Sequence, residues 1–173
     1  MSRVTIVTGA PGSGKTTFSK LLARDDPRGL HFVSDVFYEF PAHPIDPTKP
    51  ESRDQNTAIM RAVGRASGAF VESGFPVVLD GIFGPWFLPE LRAALPDGVA
   101  TEYVVLCAPL ALSLERVRDR GGPGASAKVE HMHRDFADLG DFAGHTLDSG
   151  EARADELLGR FLEGRAQGRF DLS

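Results

Sequence analysis

The sequence predicts an α/β domain with a mostly parallel sheet, on two observations. Short apolar, β-branched runs alternate with helical patterns along the whole chain, and a glycine-rich turn joins the first of those runs to the first helix. A third observation bounds the answer: the 173 residues hold no linker, internal repeat or low-complexity tract. That length suits one core, so a single domain over residues 1–173 is expected.

Arg3 to Thr8 centres on Val4-Thr5-Ile6-Val7, which suits a parallel strand buried on both faces. Glycines follow, and then Lys15 to about Arg24 puts Phe18, Leu21 and Leu22 on one helix face. His31 to Ser34 is a second short strand. Four prolines between Phe40 and Ser52 (Pro41, Pro44, Pro47 and Pro50) make that stretch a loop. Arg53 to Ser73 reads as a long helix with Ile59, Met60, Val63 and Phe70 as its apolar positions, and Gly74 stops it. Pro76 to Leu79 is a third strand ending in Asp80-Gly81, Trp86 to Leu95 a short helix, and Glu102 to Cys107 a fourth strand. Leu110 to Arg120 is an arginine-rich helix, broken by Gly121, Gly122, Pro123 and Gly124. Lys128 to Leu139 is helical again, His145 to Asp148 is a fifth strand, and Glu151 to Leu162 closes the chain as a helix.

The formal net charge of −5 and the pI of about 5.5 weigh against a nucleic-acid partner. Cys107 stands alone, which excludes an intrachain disulfide and is most simply a small buried side chain. The histidines at 31, 43, 131, 133 and 145 are too scattered to read as a metal site. No apolar stretch is long enough to span a membrane, and the first residues lack the apolar core of a signal peptide. A cytoplasmic protein, monomer or homodimer, is expected.

Gly9-Ala10-Pro11-Gly12-Ser13-Gly14-Lys15-Thr16 fits the phosphate-loop pattern G-x-x-x-x-G-K-[ST], with a strand directly before it and a helix directly after. Glycines let the backbone wrap so that N–H groups converge on phosphate oxygens, and the following helix points its positive end at the same anion. The expected ATP-binding set is Gly9, Ala10, Pro11, Gly12, Ser13, Gly14, Lys15, Thr16 and Thr17. Lys15 would reach the β- and γ-phosphates and the Thr16 hydroxyl would ligate Mg²⁺. Asp35 and Asp80, each at the end of a strand, are further candidates. The first would be a general base and the second would hold a Mg²⁺-bound water, although Asp also suits a helix cap and Asp-Gly a turn. Arg116 and Arg120, four apart on one helix face, suit the charge of a transferring phosphoryl group.

Several segments resemble the small phosphate-loop kinases. Val78-Leu79-Asp80-Gly81-Ile82-Phe83 is similar to the Leu-Asp-Gly-Phe stretch of adenylate-type kinases. Ser34-Asp35 sits where shikimate, gluconate and chloramphenicol kinases keep a substrate-facing aspartate. Arg116 to Gly122 resembles their arginine-bearing lid, and His145 to Gly150 their last strand and adenine-side turn. The chain also resembles a set of bacterial AAA-type ATPases and kinases. The resemblance implies a three-layer fold with a five-stranded parallel sheet in the order 2-3-1-4-5 and a lid at about residues 116–135. It implies transfer of the γ-phosphate of Mg²⁺-ATP to a hydroxyl of a small molecule, such as a sugar, a cyclitol or an antibiotic, with Lys15, Asp35 and Arg120 as the catalytic group. Where adenylate kinases continue into an arginine, this chain has Gly84-Pro85-Trp86. Two alternatives are a nucleotide or polynucleotide 5′-kinase and an ATP-binding regulatory switch with weak ATPase activity. Arg53, Gln55, Asn56 and Arg61 would either read the acceptor or form a solvated helix face. Phe83 and Trp86 are expected to pack in the core in preference to walling the acceptor.

Overall fold

The structure is a computed structural model that describes residues 2–121 and 126–172. Five parallel strands, β1 (Arg3–Thr8), β2 (Leu30–Val33), β3 (Val77–Asp80), β4 (Ala100–Cys107) and β5 (Thr146–Asp148), lie in the order β2-β3-β1-β4-β5. The helices are α1 (Lys15–Arg24), α2 (Arg53–Glu72), α3 (Leu88–Arg92), α4 (Leu110–Asp119), α5 (Ser126–Asp135) and α6 (Ala154–Ala166), with short 3-10 turns between several of them. The expected fold class and strand order are those observed.

Period-two alternation splits each strand between two apolar layers. Val4 and Ile6 of β1, with Leu79 and Val105, face α2, α3 and α5, where Met60, Val63, Leu91 and Met132 are buried against them. Val7, Val78 and Val104 turn the other way, onto Phe18 and Leu22 of α1 and Leu157 and Phe161 of α6. Phe18 meets Phe161 edge-on at 5.5 Å, the geometry that aromatic quadrupoles favour. Sandwiched this way, the central strands read as continuous apolar runs rather than alternating ones.

The differences from expectation lie at element ends. β4 begins at Ala100, because Arg3 of β1 pairs with Ala100 and Val4 with Thr101. α5 ends at Asp135, although Phe136 and Leu139 beyond it remain buried. Their burial carries the helical periodicity past the true end. Beyond α6 the chain returns to β4. Tyr103 donates its N–H to the Phe170 carbonyl, Leu172 donates to the Thr101 carbonyl, and Asp171 forms an antiparallel bridge with Glu102. This strap covers the part of the β4 edge that the three-residue β5 leaves open. No helix among the described residues is long and apolar enough to cross a membrane. Of the glycine-rich break read at Gly121 to Gly124, only Gly121 falls among the described residues.

Candidate active site

The carboxyl ends of β1, β2 and β3 converge on the loop between β1 and α1. In parallel α/β sheets this is the edge where backbone groups and helix N-termini are left to meet a ligand. Two glycines shape the loop for different reasons. Gly14 caps α1 at φ 92°, a left-handed angle, and a Cβ there would touch nothing within 4 Å, so the backbone angle alone asks for glycine. Gly12 has φ 85° and also lies against α4, where a Cβ would stand 2.4 Å from the Ser113 carbonyl oxygen. The Lys15 ammonium folds back onto the loop, donating to the Gly9 carbonyl at 2.9 Å and the Ala10 carbonyl at 3.2 Å. The buried Ser13 hydroxyl has no hydrogen-bond partner among the described residues.

Three cavities line this edge. The first, about 390 Å³, is bounded by Ser13, Gly14, Thr17, Arg116, Arg120 and Ser149. The second, about 420 Å³, is bounded by Lys15, Thr16, Asp35, Asp80, Arg120 and Lys128. The third, about 460 Å³, is bounded by Asp35, Tyr38, Glu39, Trp86, Lys128 and Asp135, among others. Arg120 borders the first two, and Asp35 and Lys128 border the last two.

Asp80, at the end of β3, is only 3 % exposed. The His31 Nε2 stands 3.0 Å from its Oδ2. Its backbone carbonyl accepts from the Ser34 hydroxyl, which leaves no room for a side chain at Gly81: a Cβ there would fall 2.0 Å from that hydroxyl oxygen. Asp35 is the second residue of the 3-10 turn Ser34–Glu39 that follows β2. It presents its carboxylate to two open cavities, so it is solvent-accessible while protein surrounds it on the remaining sides. Burial raises its pKa, Lys15 opposes, Asp80 adds to the rise and Lys128 opposes; the net shift is upward. Burial likewise strips water from the Lys15 ammonium and lowers its pKa to about 8, against the pull of Asp80 and Asp35 and with a smaller push from Arg120.

Arg116 and Arg120 have different surroundings. The Arg116 guanidinium donates to the Gly12 carbonyl at 3.2 Å, the Gly150 carbonyl at 2.9 Å and the Ser149 carbonyl at 3.5 Å. It therefore ties the glycine loop to the turn after β5. The Ser149 hydroxyl makes the same link by donating to the Ser13 carbonyl at 2.7 Å. Arg120, one turn on, is exposed, and its guanidinium makes no hydrogen bond or ion pair among the described residues. Arg118 is exposed and borders none of the three cavities.

Three of the four residues considered as acceptor readers on α2, Gln55, Asn56 and Arg61, are used locally. Gln55 exchanges two hydrogen bonds with the backbone of Ile45, Asn56 donates to the Pro47 carbonyl and the Ser52 hydroxyl, and Arg61 pairs with Glu90. They fasten the proline-rich loop and α3, and none of the four α2 residues borders the third cavity. Phe83 is fully buried, as expected, but Trp86 is 48 % exposed and walls the third cavity, contrary to its expected place in the core. The 3-10 turn Pro85–Phe87 folds the indole back over Gly84, where a Cβ would run into it, and leaves the ring half-exposed beside the cavity. Cys107 is half-buried rather than buried, at the rim of a separate cavity. Tyr38, Glu39, His131 and Asp135 are the site residues that sequence reasoning missed. They come from two segments far apart in the chain, the 3-10 turn after β2 and α5.

The donor set suits a nucleotide with Mg²⁺. An ammonium, a run of loop N–H groups and an orphaned hydroxyl meet an anion, while a threonine hydroxyl and a buried carboxylate on one cavity wall are hard oxygen donors of the kind Mg²⁺ prefers.

Residues 6–135 match the AAA domain family. The chain matches none of the curated proteins by sequence. Among solved structures its fold is similar to a sugar kinase from Janibacter sp. HTCC2649 (19 % identity, 94 % of each chain covered, TM-score 0.66). It is also similar to the tunicamycin resistance protein of Deinococcus radiodurans (21 % identity, 100 % of this chain and 99 % of that one, TM-score 0.65). A third is the APS kinase CysC of Mycobacterium tuberculosis, solved with AMPPNP and APS (15 % identity, 94 % and 96 % covered, TM-score 0.70).

Proposed function

The chain belongs to the AAA domain family, and we propose that within it this protein is a kinase that transfers the γ-phosphoryl group of ATP to a hydroxyl of a small molecule. The observation that carries this reading is the position of Asp35 in the wall common to the second and third cavities. One carboxylate there can serve a phosphate in one chamber and an alcohol in the other. The kinase folds named above support the same reading by analogy.

In this reading the first cavity takes the nucleoside and the loop Gly9–Thr17 takes the phosphates. Lys15 leaves the carbonyls of Gly9 and Ala10 for the β- and γ-phosphates. Thr16, directly, and Asp80, through water, would hold Mg²⁺, which when bound supplies positive charge against the phosphate oxygens. Asp35 accepts a hydrogen bond from the acceptor hydroxyl and orients its oxygen towards phosphorus. The oxygen–phosphorus bond forms, the bond from the γ-phosphorus to the β–γ bridging oxygen breaks, ADP leaves, and the hydroxyl proton passes to Asp35. A carboxylate held above its ordinary pKa is the better base for that step. Arg120, unpaired at the junction of nucleoside and phosphate chambers, faces the charge that spreads over the transferring group. Arg116 holds the loop and the turn after β5 together beneath the nucleotide. In this reading the lid draws on the described residues 116–121 and 126–135.

His31 is the positioning residue of this set. By engaging Asp80 Oδ2 it fixes the carboxylate's rotation and leaves the other oxygen for the phosphate chamber.

The reading is tested by incubating the protein with Mg²⁺-ATP and pooled hydroxyl-bearing metabolites and antibiotics and following ADP release. One pool is expected to stimulate release, and Asp35→Asn is expected to abolish that response while still binding ATP. Nucleotide binding with no pool raising the rate above the basal rate would count against the kinase reading.

A further inference from the structure

The third cavity has a chemical bias that phosphoryl transfer alone does not require. Its aromatic wall is Tyr38, Trp86 and Phe87, and the Trp86 ring is braced by Phe87 at 6.0 Å and Phe136 at 6.1 Å between centroids. Despite that bracing the indole stays 48 % exposed, in a chain that buries Phe83 completely three residues earlier. A rigid, half-exposed indole at a cavity wall is a stacking surface for a ring or a cation.

The charged groups around it are unbalanced. Asp35, Glu39 and Asp135 line the cavity against one lysine, Lys128. Lys128 also serves Asp35 and Asp46 electrostatically, and His131 is turned to Asp135 at 3.5 Å. Glu39 makes no hydrogen bond or ion pair among the described residues. Among the described residues no arginine lines the cavity. Acceptors bearing a phosphate or carboxylate are held by guanidinium forks, and these walls would repel them instead. A cavity of about 460 Å³ admits a compound of one or two rings.

Building on the kinase reading, we propose that the acceptor is an amine-bearing alcohol: its hydroxyl meets Asp35, its ring or apolar face lies on Trp86, and its ammonium is held by Glu39. The amine stays protonated beside the Glu39 carboxylate and so has no lone pair to offer phosphorus. The hydroxyl oxygen alone attacks, its proton goes to Asp35, and the product is a phosphate ester of the unaltered ammonium together with ADP. Nucleotides and nucleic-acid 5′ ends, which bring further negative charge into this chamber, are excluded by the same walls.

The test uses the full chain and matched sets of amino sugars, aminocyclitols and aromatic amino alcohols, each beside its N-acetyl derivative and a carboxylate counterpart. Two quantities are read: phosphorylated product by ³¹P spectroscopy with Mg²⁺-ATP, and binding by calorimetry with a non-hydrolysable ATP analogue present. An amine member is expected to exceed its N-acetyl partner at least tenfold in both, to yield an ester rather than a phosphoramidate, and to outrank every carboxylate. Glu39→Gln is expected to bring the amine and N-acetyl members to within about threefold of each other, and Trp86→Ala to weaken the whole set through KM. Equal use of amine and amide, preference for a carboxylate, or no binding by any amine overturns the assignment while leaving the kinase intact. Binding that favours amines with no phosphoryl transfer in any set would uphold the ligand class and sink the kinase.

Discussion

Charged groups stand at both ends of the sheet, and the two ends treat them oppositely. At the amino end Glu102 is 1 % exposed and fully engaged: Arg3 donates at 2.7 Å, Thr5 at 2.6 Å, and Arg165 twice at 2.8 Å. Burial pushes its pKa up, but the hydrogen bonds from Arg165 and Thr5, the Arg165 charge and the bond from Arg3 outweigh it and hold the carboxyl below the ordinary glutamate range. At the carboxyl end Lys15, Asp35 and Asp80 share a small space with one neutralising contact apiece or none. There Lys15 is pushed down and Asp35 up, each towards its uncharged form. The amino end is a closed network whose partners are all protein. The carboxyl end is left incomplete, and its charges raise the energy of the free protein, which under the proposed kinase reading phosphate and acceptor would relieve. One sheet thus separates the charges that support the fold from those that oppose it in the service of binding.

The largest expected effect breaks the comparison at the carboxyl end. Asp35→Asn should lower turnover by about 10²–10⁴-fold, the range for a lost general base, with ATP affinity kept and Tm unchanged or raised. A fall in Tm would mean that Asp35 is structural. At the other end Glu102→Gln should do the reverse, costing about 3 kcal/mol and roughly 6–12 °C in Tm, because two arginines lose their carboxylate. Its kcat and ATP affinity should match the parent. The same carboxylate also predicts acid sensitivity. Its depressed folded pKa contributes stability that is complete above the ordinary glutamate range and is lost as pH falls through and below it. A denaturation series over pH should therefore lose less stability on acidification in Glu102→Gln than in the parent.

Lys15→Met sharpens the contrast with a smaller effect. An apolar side chain of similar length replaces an ammonium that burial already disfavours, so ATP binding should weaken by about 2 kcal/mol while Tm holds or rises. Equal ATP affinity in calorimetry would remove Lys15 from the phosphate site. The smallest effect is in pH. In the proposed reading ATP binds the charged lysine, and the free ammonium titrates at about 8. Affinity should be flat below that value and fall above it by up to about tenfold per unit, with proton uptake on binding. A flat affinity up to about pH 10 would mean that burial does not depress Lys15.

The fold was legible because both faces of the central strands are buried, which leaves conspicuous apolar runs such as Val4 to Val7. The strand order was legible only through the kinase resemblance, since no periodicity says which strand lies beside β1. Element ends were harder wherever packing outlives hydrogen bonding, as at Phe136 and Leu139 beyond α5, or where pairing rather than propensity extends a strand, as at Ala100. At the site, Lys15, Thr16, Asp35 and Asp80 were legible because the loop motif and the strand ends fix where they must lie. His31 was not, because its contact depends on register. It pairs with Val78, so its neighbour on the same face two residues on is Asp80. Knowing that β2 flanks β3 would have exposed that pair. Of the third cavity only Asp35 was legible, because Tyr38, Trp86 and Asp135 meet it from three separate segments that fold over the sheet edge.

The strap formed by Phe170, Asp171 and Leu172 has a consequence for synthesis. β4 emerges from the ribosome well before the residues that cover its edge, and at roughly 5–20 residues per second the gap lasts several seconds. Over that interval Thr101 to Tyr103 offer unpaired backbone groups, and the pocket that receives the Phe170 ring stands empty. Glu102 is part of the same stretch and waits for Arg165 over the same interval, so the nascent chain carries a half-neutralised charge next to an open edge. The last turn of α6 and the strap complete both at once, so a chain cut short before them would leave β4 as an open edge for pairing with its neighbours.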